Sequence, residues 1–158
     1  MPTLNELFYD GREERSGVPK YIKELTDATK RVNNQAADYM WAGIDGTFVA
    51  VERKAAQDFV NSLRKERGSG RTKVVRQLYE LFKIGATAVY LIVEGILPSD
   101  TRGYIGGRWS PLAIERFLLR LTLRHVHVIK TSDQLETASL IYGLWKLSQE
   151  ESSLWPKE

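Results

Sequence analysis

At 158 residues with 42% hydrophobic content, the chain is sized for one domain with a proper core. It contains no Cys, which excludes disulfides and thiolate metal sites, and His125 and His127 are too few for a His-rich zinc centre, so any metal must be held by carboxylates. The formal net charge of +3 and a pI near 9.1 point weakly to a polyanionic partner.

The N-terminus lacks the basic start and apolar run of a signal peptide, and no stretch reaches membrane-spanning length. A soluble, intracellular protein without membrane contact is expected, cytoplasmic, or in the host cell if viral. Leu4 to Asp10 reads as a first strand ended by Gly11, with Asp10 at its end. After a polar loop from Arg12 to Gly17, Pro19 suits a helix start, and Tyr21, Ile22 and Leu25 supply an apolar stripe that fades near Lys30. Ala36 to Trp41 and Thr47 to Lys54 are strand-like runs around Gly43-Ile44-Asp45-Gly46, a hairpin that brings Asp38 towards Glu52. The register of that hairpin is open, and a slip of one residue turns Asp38 to the wrong face.

Phe59, Val60 and Leu63 continue as helix from Asp58 to Arg64, followed by a Gly-rich basic loop in which Arg64, Lys65, Arg67, Arg71 and Lys73 flank Gly68-Ser69-Gly70. Such a loop attracts phosphates, although an ordinary solvated connection explains it equally well. Val74 to Phe82 is a second amphipathic helix ending at Gly85, and Thr87 to Val93 a strand buried on both faces. Leu97 to Pro111 is the longest irregular piece, with Arg102, Arg108, Tyr104 and Trp109 as candidate contacts for phosphates and bases, or with Trp109 as a core anchor. A helix from Pro111 to Leu123, a strand from His125 to Lys130 and a final helix from Asp133 to Leu147, capped by Ser132, complete the chain. The order of elements predicts an α/β fold, a mixed central sheet flanked by helices. Residues 131–158 hold two of the 23 Lys and Arg but five of the 20 Asp and Glu, leaving 21 against 15 in residues 1–130. The basic surplus lies with the candidate site.

That site is the stretch Val49 to Asp58. Period-two alternation sets Ala50, Glu52 and Lys54 on one face and Val49, Val51 and Arg53 on the other. Asp58 falls in the first turn of the following helix, close to Lys54. The bland alternative is a solvated edge strand whose charges discourage edge pairing. Cleavage of a phosphodiester by a hard divalent ion needs carboxylates to fix the ion and a cation to position water or offset developing charge. Asp38, Glu52, the backbone carbonyl of Arg53 and Lys54 provide that set.

Asp10-Gly11-Arg12-Glu13, then Ala37-Asp38, a hairpin and Glu52-Arg53-Lys54 with Asp58 four residues on, resemble the signature of the XPF-type structure-specific endonucleases. The likeness spans about Leu4 to Glu94, including Ser62-Leu63, Gln77 and Tyr90 to Glu94, and weakens over Thr131 to Leu147. Ala37 stands where the family has Gly. The resemblance implies a restriction-endonuclease-like core of the PD-(D/E)XK type over residues 1–150, with a short C-terminal tail at 151–158. It implies a catalytic set of Asp10, Asp38, Glu52, Lys54 and Asp58, supported by Arg12, Glu13 and Arg53. Asp38, Glu52 and the Arg53 carbonyl would bind Mg²⁺ or Mn²⁺, with Lys54 as the catalytic cation.

The implied activity is metal-dependent cutting of branched, flap or fork DNA near the junction of single and double strand, with a homodimer through the nuclease domain. Family members usually carry a C-terminal tandem helix-hairpin-helix module, and after Leu147 only eleven residues follow. The expectation is therefore a free-standing nuclease domain. A Holliday-junction resolvase shares the fold class and metal chemistry but needs a symmetric dimer. A catalytically silent DNA- or partner-binding subunit is a third reading, against which all the acidic and basic motif positions stand intact.

Overall fold

The computed structural model describes residues 2–68 and 70–151. Ser69 of the expected Gly-rich loop and all of the expected tail except Glu151 lie outside the described residues. The strands are β1 (Leu7–Asp10), β2 (Thr29–Val32), β3 (Tyr39–Ala42), β4 (Phe48–Ala55), β5 (Ala88–Glu94) and β6 (Val126–Thr131), and the helices α1 (Val18–Leu25), α2 (Ala56–Ser62), α3 (Lys73–Lys83), α4 (Pro111–Leu123) and α5 (Gln134–Ser148). The strands form one six-stranded sheet in the order β2-β1-β3-β4-β5-β6. β1 and β2 are parallel, β3 is antiparallel to β1 and β4, and β4, β5 and β6 are parallel.

Alternation along β4 divides the molecule. Phe48 and Ala50 enter a front core with Phe59 of α2, Leu78 of α3 and Ile114 of α4. Val49 and Val51 enter a rear core with Ile22 of α1 and Ile141 and Trp145 of α5. Helices thus cover both faces of a mixed sheet, and the predicted α/β architecture is observed.

Three local differences from expectation have physical causes. The first helix stops at Leu25 instead of fading near Lys30, because Thr26 is extended at φ −156° and ψ 147°. The chain then forms β2, which pairs with β1 at the sheet edge. Both faces of Thr29-Lys30-Arg31-Val32 are poorly buried, so no apolar period announces the strand. The polar loop after β1 is a six-residue 3-10 helix, Gly11–Ser16, capped by the Asp10 carboxylate. The cap of α5 is Asp133, which accepts the Glu136 N–H at 2.8 Å, while Ser132 donates its own N–H to the Glu136 carboxylate at 2.7 Å.

Candidate active site

At the C-terminal end of β4 the front face stops being apolar. Glu52 and Lys54 follow Ala50 on that face and are 4% and 8% exposed, and Lys54 Nζ donates to Glu52 Oε1 at 3.1 Å. The hairpin pairs Tyr39 with Val51 and Met40 with Ala50. One residue earlier the regular ladder ends: the Asp38 N–H donates to the Val51 carbonyl at 3.0 Å, and Asp38 Oδ2 accepts the Arg53 N–H at 2.8 Å. A side-chain carboxylate thus replaces a backbone partner and lies across the strand at Glu52. Burial, then the Glu52 and Glu13 carboxylates, push Asp38 well above the usual carboxylate range, against the pull of the Arg53 N–H and Lys54. Burial also raises Glu52, with Lys54 opposing it.

Asp38 and Glu52 border two adjoining cavities of about 490 and 390 Å³. Arg12, Lys73 and Gln77 line both. Lys73 and Gln77 stand one helical turn apart at the start of α3, whose Thr72 cap accepts the Val75 N–H. Asp58, exposed on the first turn of α2, lines the smaller cavity with Lys54 and Asn61. The side-chain amide oxygens (Oε1) of Gln35 and Gln77 are buried without a hydrogen-bond donor among the described residues.

Asp10 is fully buried in another setting. Its Oδ1 accepts the backbone N–H and Nε of Arg12 at 2.9 and 2.7 Å, and its Oδ2 accepts the Gln35 N–H at 3.0 Å. Burial raises this carboxyl, but the Arg12 and Gln35 bonds outweigh it and hold it below its ordinary value. Arg12 Nη2 donates onward to the Gln35 carbonyl at 3.2 Å, and Gln35 Nε2 to the Asp38 carbonyl at 3.3 Å. Asp10 therefore ties β1 to the segment that carries Asp38.

Behind β4, Arg53 points to the rear face. Its Nε and Nη2 reach the two Glu94 oxygens at 2.9 and 2.6 Å, and Nη1 lies 3.7 Å from Glu13. Tyr39 donates its hydroxyl to Glu13 at 2.7 Å, and Thr137 of α5 donates to Glu94 at 2.7 Å. The resemblance assigns Arg53 and Glu13 supporting places, and both stand in this network. The roles of Glu94, Tyr39 and Thr137 carry no local signal, because their partners are 26 to 43 residues away. The only hint of Gln77 is the motif likeness.

The expected DNA-contact residues divide. Lys73 stands at the cavities bordered by Asp38 and Glu52, whereas Arg64, Lys65, Arg67 and Arg71 line neither of them. Arg64, Lys65, Arg67 and Arg71 are exposed around a small turn closed by the Glu66 N–H to the Arg71 carbonyl at 2.8 Å. Arg71 also lies over the Tyr79 ring at 5.7 Å. In the irregular loop Arg102 stacks on Tyr104 and Arg108 on Trp109, and neither Arg borders those cavities. Trp109 packs on the front core.

Two carboxylates, the Arg53 carbonyl and the two amide oxygens are hard donors, which suits a divalent ion that keeps several of its waters. Among the described residues no group of three or more His, Cys, Asp or Glu side chains converges on one point.

The ERCC4 domain model matches residues 9–144. The 3′-flap repair endonuclease Xpf of Saccharolobus solfataricus is 32% identical over 136 residues, 85% of this chain and 52% of the relative, so the chain spans about half of that protein. The structure of XPF from Aeropyrum pernix superposes with a TM-score of 0.70 at 28% identity, covering 90% of this chain and 64% of the other. The same protein in complex with DNA gives a TM-score of 0.70 over 94% and 68% of the two chains. With the match running from Tyr9 at the end of β1 to Leu144 in α5, the chain belongs to the ERCC4 domain family, the XPF-type nuclease domains.

Proposed function

We propose that this protein is a divalent-metal-dependent DNA endonuclease that cuts branched, flap or fork DNA near the junction of single and double strand, with residues 1–150 as its nuclease domain. The observation that carries the reading is the meeting of Asp38, Glu52 and Lys54 at the end of β4, under cavities that Arg12 and Lys73 border.

Asp38, Glu52 and the Arg53 carbonyl would hold Mg²⁺ or Mn²⁺, which when bound supplies Lewis-acid polarisation and a more acidic water. Lys54 Nζ, already 3.1 Å from Glu52, aims a cation at the same spot and offsets the negative charge that grows on the phosphorane. Arg12 and Lys73 bind the phosphates on either side. A water oxygen gives up a proton as it bonds to phosphorus, one phosphorus–oxygen ester bond breaks, and the leaving oxygen takes up a proton. Asp58 and Asn61 of α2 close the far wall. Asp10 acts one step back, through Arg12 and Gln35.

Self-association through this domain has support on α4, where Leu112, Leu119 and Leu123 are 60%, 61% and 79% exposed along one stripe.

The test is a panel of single-stranded, duplex, flap, fork and four-way DNA incubated with Mg²⁺, with Mn²⁺ or with chelator, with the cuts mapped. Cutting confined to branched substrates and to metal is expected. Glu52→Gln and Lys54→Met should each lower the rate by about 10²-fold or more. Undiminished cutting by both variants sinks the site assignment, and metal-independent binding without cutting identifies a silent subunit. Paired symmetric nicks on the four-way substrate alone favour a resolvase.

A further inference from the structure

A third cavity, of about 750 Å³, opens beside the catalytic pair and shares Arg12 and Asn34 with the cavity bordered by Asp38 and Glu52. Arg15 of the 3-10 helix, Arg31 of the edge strand β2 and Asn33 form its rim. Neither Arg15 nor Arg31 has an ion-pair partner among the described residues, and both are exposed. The acids nearby are already engaged: Asp10 by Arg12, and Glu14 by the Tyr9 hydroxyl at 2.7 Å and Lys23 at 3.5 Å. Glu14 also lies within electrostatic reach of Arg31, so the two rim cations face one carboxylate that is already paired with Lys23.

The rim is built onto the site. A Cβ on Gly11 would stand 2.5 Å from Asn33 Oδ1 and 2.8 Å from Arg31 Nε, so both side chains lie on the bare backbone of Gly11. The Asn33–Gln35 segment is held at its end by the Gln35 N–H bond to Asp10 and by the Arg12 bond to the Gln35 carbonyl. Gln35 in turn donates to the Asp38 carbonyl. A ligand on this rim is therefore held in fixed relation to Asp38. Guanidinium groups and carboxamides, in a polar trough continuous with the furrow where a phosphodiester is cut, suit phosphate oxygens rather than an apolar group.

We propose that Arg15, Arg31, Asn33 and Asn34 form a second binding site, which takes the backbone phosphates of the DNA strand leading into the Asp38–Glu52 furrow. The site deepens the nuclease reading and rests on it. It gives the edge strand a task, since β2 contributes almost nothing to either core and presents Arg31 outward.

The experiment measures fluorescence anisotropy of labelled single-stranded and forked DNA in chelator, where nothing is cut, over a series of salt concentrations. Arg15→Ala and Arg31→Ala should each reduce the slope of log affinity against log salt by about 1. The double variant should bind about tenfold more weakly at low salt. Gly11→Ala removes no charge but displaces Arg31 and Asn33, and should weaken binding as well. Lys146→Ala, on α5 behind the sheet, should leave affinity and slope as they are. Circular dichroism of the surface variants should match the wild type.

Wild-type affinity and slope in the double variant overturn the proposal while the nuclease reading stands. Absence of binding and cutting of any DNA by the wild-type protein overturns the nuclease reading itself. A loss seen on the fork but not on the single strand reassigns the rim to duplex and overturns the assignment to the strand being cut.

Discussion

Burial raises two aspartates of this protein alike, and their partners decide that they respond to pH in opposite senses. Burial and then the Glu52 and Glu13 carboxylates raise Asp38, so between its unfolded and folded values it keeps a proton that the unfolded chain releases. Its contribution to stability is therefore full below the ordinary carboxylate value and is lost as pH rises through its folded value. Asp10 accepts three N–H bonds and is lowered, so its contribution is present above that range and is lost as pH falls through its folded value. In chelator at neutral pH, Asp38→Asn should raise the melting temperature by about 2–4 °C for each kcal/mol relieved, with the gain shrinking in acid. Asp10→Asn should destabilise by about 1–3 kcal/mol at neutral pH and by progressively less in acid. Thermal melts of both variants across pH check this, and two differences of the same sign would contradict the electrostatic account.

At the scale of elements, β4 is a strand with a charged front and an anchored back. Its Arg53 backbone N–H fixes Asp38, while the Arg53 guanidinium is locked to Glu94 on β5, and Glu94 is held by Thr137 of α5. The position of the front depends on that rear lock. Breaking a buried pair by removing one partner costs about 3–5 kcal/mol, so Glu94→Gln should lower the urea midpoint accordingly. Tyr39→Phe, which removes one hydroxyl bond to Glu13, should cost about 1–1.5 kcal/mol. If Asp38 is placed through Arg53, cleavage by the Glu94→Gln protein should show reduced kcat at nearly unchanged KM. A change in KM alone would assign Glu94 to substrate binding instead.

Across the whole molecule, the two cores leave different surfaces. The rear core is closed by α1 packing with α5, and the front by α2, α3 and α4. α4 keeps Ile114, Leu118 and Leu121 inward yet shows Leu112, Leu119 and Leu123 outward, more apolar surface than one layer needs. Leu119→Asp leaves the inward stripe untouched, and if the outward one joins two copies it should convert a dimer to a monomer in light scattering. A monomer in both proteins would place self-association elsewhere or nowhere.

The stretch from Val49 to Asp58 was readable from sequence because its information is local. Alternation alone sends Glu52 and Lys54 to one face and Arg53 to the other, and Asp58 into the first turn of α2. The helices with clear apolar stripes and the doubly buried β5 were readable for the same reason. The hairpin register was not, since period two permits either face for Asp38, and a side chain capping the Arg53 N–H ends the ladder there. Nor was β2, whose Lys30 and Arg31 follow no apolar period and are ordered only by the β1 ladder. The bond from Asp10 to Gln35, the Arg53–Glu94 lock and the basic rim over Gly11 join residues far apart in the chain. What the sequence determined by itself was the periodic face of each element and the charged motif on β4. What only the tertiary structure decided was which buried charges meet, because pairing depends on distances that no single stretch of chain contains.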